Sequence, residues 1–168
     1  MQTTPVNQAP ANTMWGLLGW LVLCFVGAAI GGLASSNAGG FYGQLVQPGW
    51  APPAWLFGPV WTVLYAMMGV AAWLVWKEQG WRKARIALSM FVVQLAANAL
   101  WTWLFFVWHW GAVASVEIVL LWVLIASTAW MFWRIRSLAG ALLLPYLLWV
   151  SFATALCFSM WQGNPQVL

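Results

Sequence analysis

The chain has 168 residues, 64% of them hydrophobic and 5% charged, and six Lys/Arg against two Asp/Glu give a net charge of +4. A water-facing domain carries about 25% charged residues, so this composition excludes an ordinary soluble globule and assigns most of the surface to lipid. It also excludes a nucleic-acid footprint, which needs clustered cations on a soluble face.

The length suits one domain, residues 1–168, and about 20 apolar residues per crossing leave room for five spans with short loops. Residues 1–13 lack the Lys or Arg of a secretory n-region, and the apolar run from Trp15 to Leu33 exceeds a usual signal core. That run therefore reads as a first span, about 15–34. The others are predicted at about 53–76, 84–108, 112–133 and 138–161. Their continuous apolar character, without alternation, favours helices over a barrel. Pro52 and Pro53 fit a helix's first turn, where a missing N–H costs nothing. The expected fold class is an all-α membrane protein, a five-transmembrane-helix bundle.

Between the first two spans, residues 35–52 form the longest predicted loop. Loops of this length are usually functional or disordered, and this one carries Phe41, Tyr42, Leu45 and Trp50. It reads as an outer lid packed over the bundle. The cations fall in two places only: Lys77, Arg82, Lys83 and Arg85 in 77–85, and Arg134 and Arg136 in 134–136. By the positive-inside rule both segments lie on the cytoplasm-like side, with the N-terminus, while the 35–52 loop and the C-terminus lie outside.

Seventeen tryptophans are present. Trp15, Trp73, Trp76, Trp81, Trp108, Trp110, Trp130, Trp133 and Trp161 lie near span ends, where an aromatic belt anchors membrane helices. Trp61, Trp101, Trp103, Trp122 and Trp149 lie inside spans, which belt logic does not explain. At about 1.5 Å rise per residue, Trp61, Trp101 and Trp149 reach similar depths beneath the loop. They could fill the core or line a cavity for a flat, apolar ligand held by stacking and area burial.

Polar groups within spans are few. Gln94 and Asn98 share one face of span three with Trp101, where they must find partners across helices or on a ligand. Glu117 is the one intramembrane carboxylate, a functional hypothesis by default or a group in contact with outer water. Gly27 and Gly31, with Ala28 and Gly32 beside them, form a small-residue face suited to intramolecular packing or dimerisation. Cys24 and Cys157 sit in apolar runs as small hydrophobes, with no sign of a disulfide framework or metal site. With one histidine, His109, and no aspartate, no acid–base, nucleophile or metal-ligand set can be assembled. His109 reads as an interface anchor, or alternatively as an axial haem ligand.

The run Gln47-Pro48-Gly49-Trp50-Ala51-Pro52-Pro53-Ala54-Trp55 … Gly58-Pro59-Val60-Trp61-Thr62-Val63-Leu64-Tyr65 resembles the signature of the TspO/translocator protein family, the tryptophan-rich sensory proteins and peripheral-type benzodiazepine receptors. So do Gln94-Leu95-Ala96 … Asn98 … Trp101 and Pro145-Tyr146-Leu147 … Trp149 … Phe152-Ala153-Thr154 … Leu156. The resemblance spans about residues 15–165. It implies a five-helix bundle, usually a homodimer, that binds tetrapyrroles such as protoporphyrin IX and haem, and benzodiazepine-type ligands, in transport, sensing or regulation of porphyrins. No obligatory cofactor is implied; porphyrin or haem is the ligand. Carried onto this chain, the family pocket corresponds to Tyr42, Trp50, Trp61, Tyr65, Asn98, Trp101, Trp149, Ala153 and Leu156. Trp61 and Trp149 match tryptophans associated with light-dependent porphyrin breakdown, an alternative activity; a general carrier of small hydrophobic molecules is another. The sterol-recognition pattern of animal members is missing, since its positions read Leu156, Phe158 and Gln162, and Cys157 stands where many relatives have Asn. These departures resemble a bacterial member, in an inner or outer membrane.

Overall fold

In lipid every backbone N–H and C=O must be satisfied internally, and the chain meets that demand with helices. The computed structural model describes residues 11–168; the segment before Ala11, including the sequence expectation for its side of the membrane, lies outside the described residues. Helix α1 spans Ala11–Ala34, the short α2 Ala38–Gln44, α3 Phe57–Phe106, α4 Gly111–Ile135 and α5 Ser137–Gly163. A single 3₁₀ turn, Ala54–Leu56, leads into α3. Four of the helical segments are long and apolar enough to cross a bilayer, so this is a multi-pass membrane protein.

The sequence predicts separate helices at 53–76 and 84–108 with a loop between. The structure has two helices there, run together across a kink as the 50-residue α3, and the connection is shorter than expected, with non-helical geometry only at Gly80. Gly80 has φ 67° and ψ 173°, a left-handed backbone that an L side chain resists. That one residue is the whole turn. A straight helix would hold Tyr65 and Asn98 about 50 Å apart at about 1.5 Å per residue, yet their side chains meet at 3.3 Å. The arms 57–79 and 81–106 therefore lie side by side. The expected boundaries of the last two helices hold to within two residues. The 35–52 loop, expected to be irregular, contains α2.

Helix α1 packs along both arms of α3. A Cβ on Gly69 would lie 3.1 Å from the Leu21 Cα, one on Gly27 would lie 3.1 Å from Leu95, and one on Gly31 would lie 3.1 Å from Thr102. The small-residue face of α1 is thus used inside the chain. The second arm of α3 meets α4 through stacked Phe91 and Phe132, 5.7 Å between centroids. Helices α4 and α5 join so tightly that a Cβ on Gly140 would lie 2.8 Å from the Trp133 backbone nitrogen. Arg136 reaches Glu78 at 3.6 Å, which brings the Gly80 bend and the α4–α5 turn to one end. The 35–52 segment covers the other end, above the cavity.

Candidate functional site

A cavity of about 440 Å³ opens between α1, both arms of α3 and α5, with α2 as its roof. That size falls in the range of about 300–1,000 Å³ usual for small-molecule sites. Tyr42, Trp61, Tyr65, Asn98, Trp101, Trp149, Ala153 and Leu156 all line it. Trp50 does not: it is 50% exposed and packs edge-on against Phe152 at 5.6 Å on the far side of the wall.

The roof is tied down at several points. The Tyr42 hydroxyl donates to the Pro52 carbonyl at 3.0 Å, and Gln47 Nε2 donates to the Tyr42 carbonyl at 2.6 Å. Phe41 stacks on His109 at 4.3 Å and 18°. His109 sits at φ 53° in the α3–α4 connection and outside the cavity wall, so its ring braces the roof. Tyr42 is buried, and burial raises its phenol above the ordinary tyrosine range.

The walls are aromatic. Trp61 lies 5.6 Å from Tyr65 and 5.9 Å from Tyr146. Trp101 stacks on Phe105 at 5.3 Å, and Trp149 meets Phe57 at 5.8 Å and Phe152 at 5.6 Å. Such contacts fix ring orientation and add roughly 0.5–1.5 kcal/mol each beyond area burial. Trp122 points the other way, to lipid, and donates to Ser151 Oγ at 2.7 Å.

One polar chain crosses this aromatic shell. The Tyr65 hydroxyl donates to Asn98 Oδ1 at 3.3 Å, and Asn98 Nδ2 donates to the Tyr146 hydroxyl at 2.7 Å. The amide therefore joins both arms of α3 to α5 while facing the cavity. Gln94 has only the Met68 sulfur for its Nε2, at 4.0 Å, and its Oε1 is unpartnered. The buried indole nitrogens of Trp101 and Trp149 make no hydrogen bond of normal geometry. Cys157 contacts Ser115 Oγ at 3.6 Å. Both Glu117 oxygens are buried without a protein partner, outside the cavity wall.

Among the described residues the wall contains no Asp, Glu, Lys, Arg or His, and no group of three metal-ligating side chains comes together. The site can stack a flat ring against its aromatic walls, while the Trp101 and Trp149 indole nitrogens are closed off from it. Sequence reasoning did not single out Phe25, Phe57, Thr62 or Met160, which also line it, nor Tyr146, whose hydroxyl completes the polar chain. A signal for Tyr146 existed: Asn98 needs a partner in lipid, and α5 carries a single tyrosine. Gly32, recognisable from its place beside the Gly27/Gly31 face, borders the cavity with no atom within 4 Å of a Cβ built on it.

A family model described as "TspO/MBR family" matches residues 20–162. The "Tryptophan-rich protein TspO" of Chlorobaculum tepidum is 42% identical over 146 residues, 85% of this chain and 92% of that protein. "Protein CrtK" of Rhodobacter capsulatus is 37% identical over 150 residues, 87% and 91% of the two chains. The human "Translocator protein" is 37% identical over 143 residues, 84% and 83%.

Proposed function

The chain belongs to the TspO/MBR family, and from that membership and the neutral aromatic cavity we propose that it binds tetrapyrroles such as protoporphyrin IX and haem, together with benzodiazepine-type ligands, in porphyrin transport, sensing or regulation. One observation carries the reading: Trp61, Trp101 and Trp149 converge on a single cavity. The flat macrocycle stacks between the indoles, and Tyr65 and Asn98 border it.

In this reading each arm of α3 crosses the bilayer, giving five crossings with α1, α4 and α5. Both basic segments, 77–85 and 134–136, then face the cytoplasm-like side by the positive-inside rule, and the roofed cavity opens toward the outer side of a bacterial membrane. The protein acts as a homodimer. Titrating protoporphyrin IX against tryptophan emission tests the pocket. Saturable quenching that weakens in Trp61→Phe/Trp149→Phe supports it; no quenching, or equal quenching in the variant, overturns it. Competition between haem and an unrelated hydrophobic cation separates a tetrapyrrole site from a general carrier.

A second reading, light-driven oxidation of the bound ring by dioxygen, is favoured by the contacts of Trp61 with Tyr65 and Tyr146. The excited ring takes one electron from an indole and passes it to dioxygen. The resulting superoxide adds to the ring as the indole radical recovers its electron, and the phenols beside the indole share the radical meanwhile. Faster loss of porphyrin absorbance under illumination with the unmodified chain than with Trp149→Phe supports this activity, and equal rates dismiss it.

A further inference from the structure

We propose that the end of the bundle opposite the cavity is a docking surface for anionic phospholipid headgroups. All six cations of the chain lie in 77–85 and 134–136, and the fold gathers them into one rim. The Arg136–Glu78 contact at 3.6 Å ties the end of the first α3 arm to the α4–α5 turn. The stacked Phe91 and Phe132 bring the start of the second arm, with Arg82, Lys83 and Arg85, beside the end of α4. Glu78 is the one acid at this end and is engaged by Arg136; the other, Glu117, lies within α4 nearer its opposite end. The rim therefore carries a large uncompensated positive charge.

Two geometric features point this charge at lipid. Arg134 lies over the Trp130 ring at 5.5 Å, and Trp130 is 63% exposed on the bundle's perimeter. Lys77 lies over Trp73 at 5.1 Å. Stacking on rings holds these cations to the side of the helices, where a headgroup sits. Trp81 and Trp133, each 50% exposed, stand beside the same cations and mark the interfacial level at which indoles reside. A phosphate diester anchored by its own acyl chains meets Arg82, Lys83 and Arg85 from the lipid side. This surface is independent of what occupies the cavity.

Each cation near an anionic leaflet contributes about 1 kcal/mol, roughly fivefold in association. The full chain, reconstituted in vesicles, is tested with brominated phosphatidylglycerol against brominated phosphatidylcholine, reading tryptophan quenching as relative association. The expected result is a several-fold preference for phosphatidylglycerol that fades as salt is raised, because exposed charges are screened within about 10 Å at 0.1 M. Arg82→Gln/Lys83→Gln/Arg85→Gln should bring the preference toward unity, while Arg82→Lys/Arg85→Lys retains it. Equal association of the two lipids with the unmodified chain, or a preference insensitive to salt, overturns the proposal without relying on any variant. Loss of the preference on adding inorganic phosphate at constant ionic strength reassigns the rim to free phosphate and equally overturns it.

Discussion

Asn164 and Val46, 118 positions apart, hold one another by a reciprocal pair of hydrogen bonds: Val46 N–H donates to Asn164 Oδ1 at 2.8 Å, and Asn164 Nδ2 donates to the Val46 carbonyl at 3.1 Å. One side-chain amide thus reads a backbone segment as a neighbouring strand would. The same Nδ2 donates to the Met160 carbonyl at 2.8 Å, closing the last turn of α5. The segment following α2 is clasped to the end of the helix that carries Trp149 and Leu156. The roof and the wall of the cavity are one mechanical unit.

Replacing Asn164 by Ala should free that segment. Val46 is exposed and its two lost bonds are part-buried, so each costs about 0.5–1.5 kcal/mol and thermal unfolding in detergent should move to lower temperature. Protoporphyrin IX should also leave faster, by up to roughly tenfold, since about 1.4 kcal/mol corresponds to one decade. Asn164→Asp, which keeps the acceptor and loses the donor, should fall between. An unchanged dissociation rate in Asn164→Ala means the clasp does not retain the ligand.

Asn98 is bonded on both sides, to Tyr65 and Tyr146, so its loss strands two buried hydroxyls while Tyr65→Phe removes one. Intramembrane hydrogen bonds average about 0.6 kcal/mol in double-mutant cycles. Tyr65→Phe should therefore cost about that much, and Asn98→Leu clearly more, in unfolding measured in mixed micelles. Equal costs for the two would show that the 2.7 Å bond to Tyr146 contributes nothing.

The physical reasons that made parts of this molecule legible in its sequence also explain what was not. Span lengths were readable because lipid demands long apolar runs, and the ends of α4 and α5 followed. The break between residues 76 and 84 was readable, but its confinement to Gly80 was not, because the turn depends on one residue's φ rather than on a loop composition. Eight residues of the cavity wall followed from depth and the family motif. Trp50 did not fall with them: a motif fixes proximity along the chain, while the direction of an indole depends on how the Pro-flanked segment crosses the bundle. The use of Gly27 and Gly31 was undecidable from spacing, since a small face suits either a neighbouring helix or a second copy; only the contacts with Leu95 and Thr102 separate the two.

Two glycines offer a contrast within that helix packing. A Cβ on Gly69 would meet the Leu21 Cα at 3.1 Å, a backbone atom that cannot rotate away, whereas one on Gly32 meets nothing within 4 Å. Gly69→Ala should push α1 off α3 and lower stability by about 1–3 kcal/mol. Gly32→Ala should be neutral or slightly stabilising, since Ala exceeds Gly in helices by about 1 kcal/mol. Thermal unfolding of the two variants side by side checks this, and equal behaviour would contradict the close α1–α3 approach.

The unpartnered indole nitrogens of Trp101 and Trp149 distinguish stacking from hydrogen bonding as the source of affinity. Phe at either position keeps a ring and removes only the donor, apart from a loss of area shared by every ligand. The comparison that isolates the N–H is between protoporphyrin IX, which carries carboxylates, and etioporphyrin, whose rim is alkyl. Because both indole nitrogens are closed off from the cavity, each Trp→Phe change should weaken protoporphyrin IX and etioporphyrin alike, through lost stacking and area. Fluorescence titration of both porphyrins against both variants measures the difference directly. A loss larger for protoporphyrin IX, by roughly two- to tenfold in Kd, would show instead that an indole turns to donate to the ligand's carboxylates.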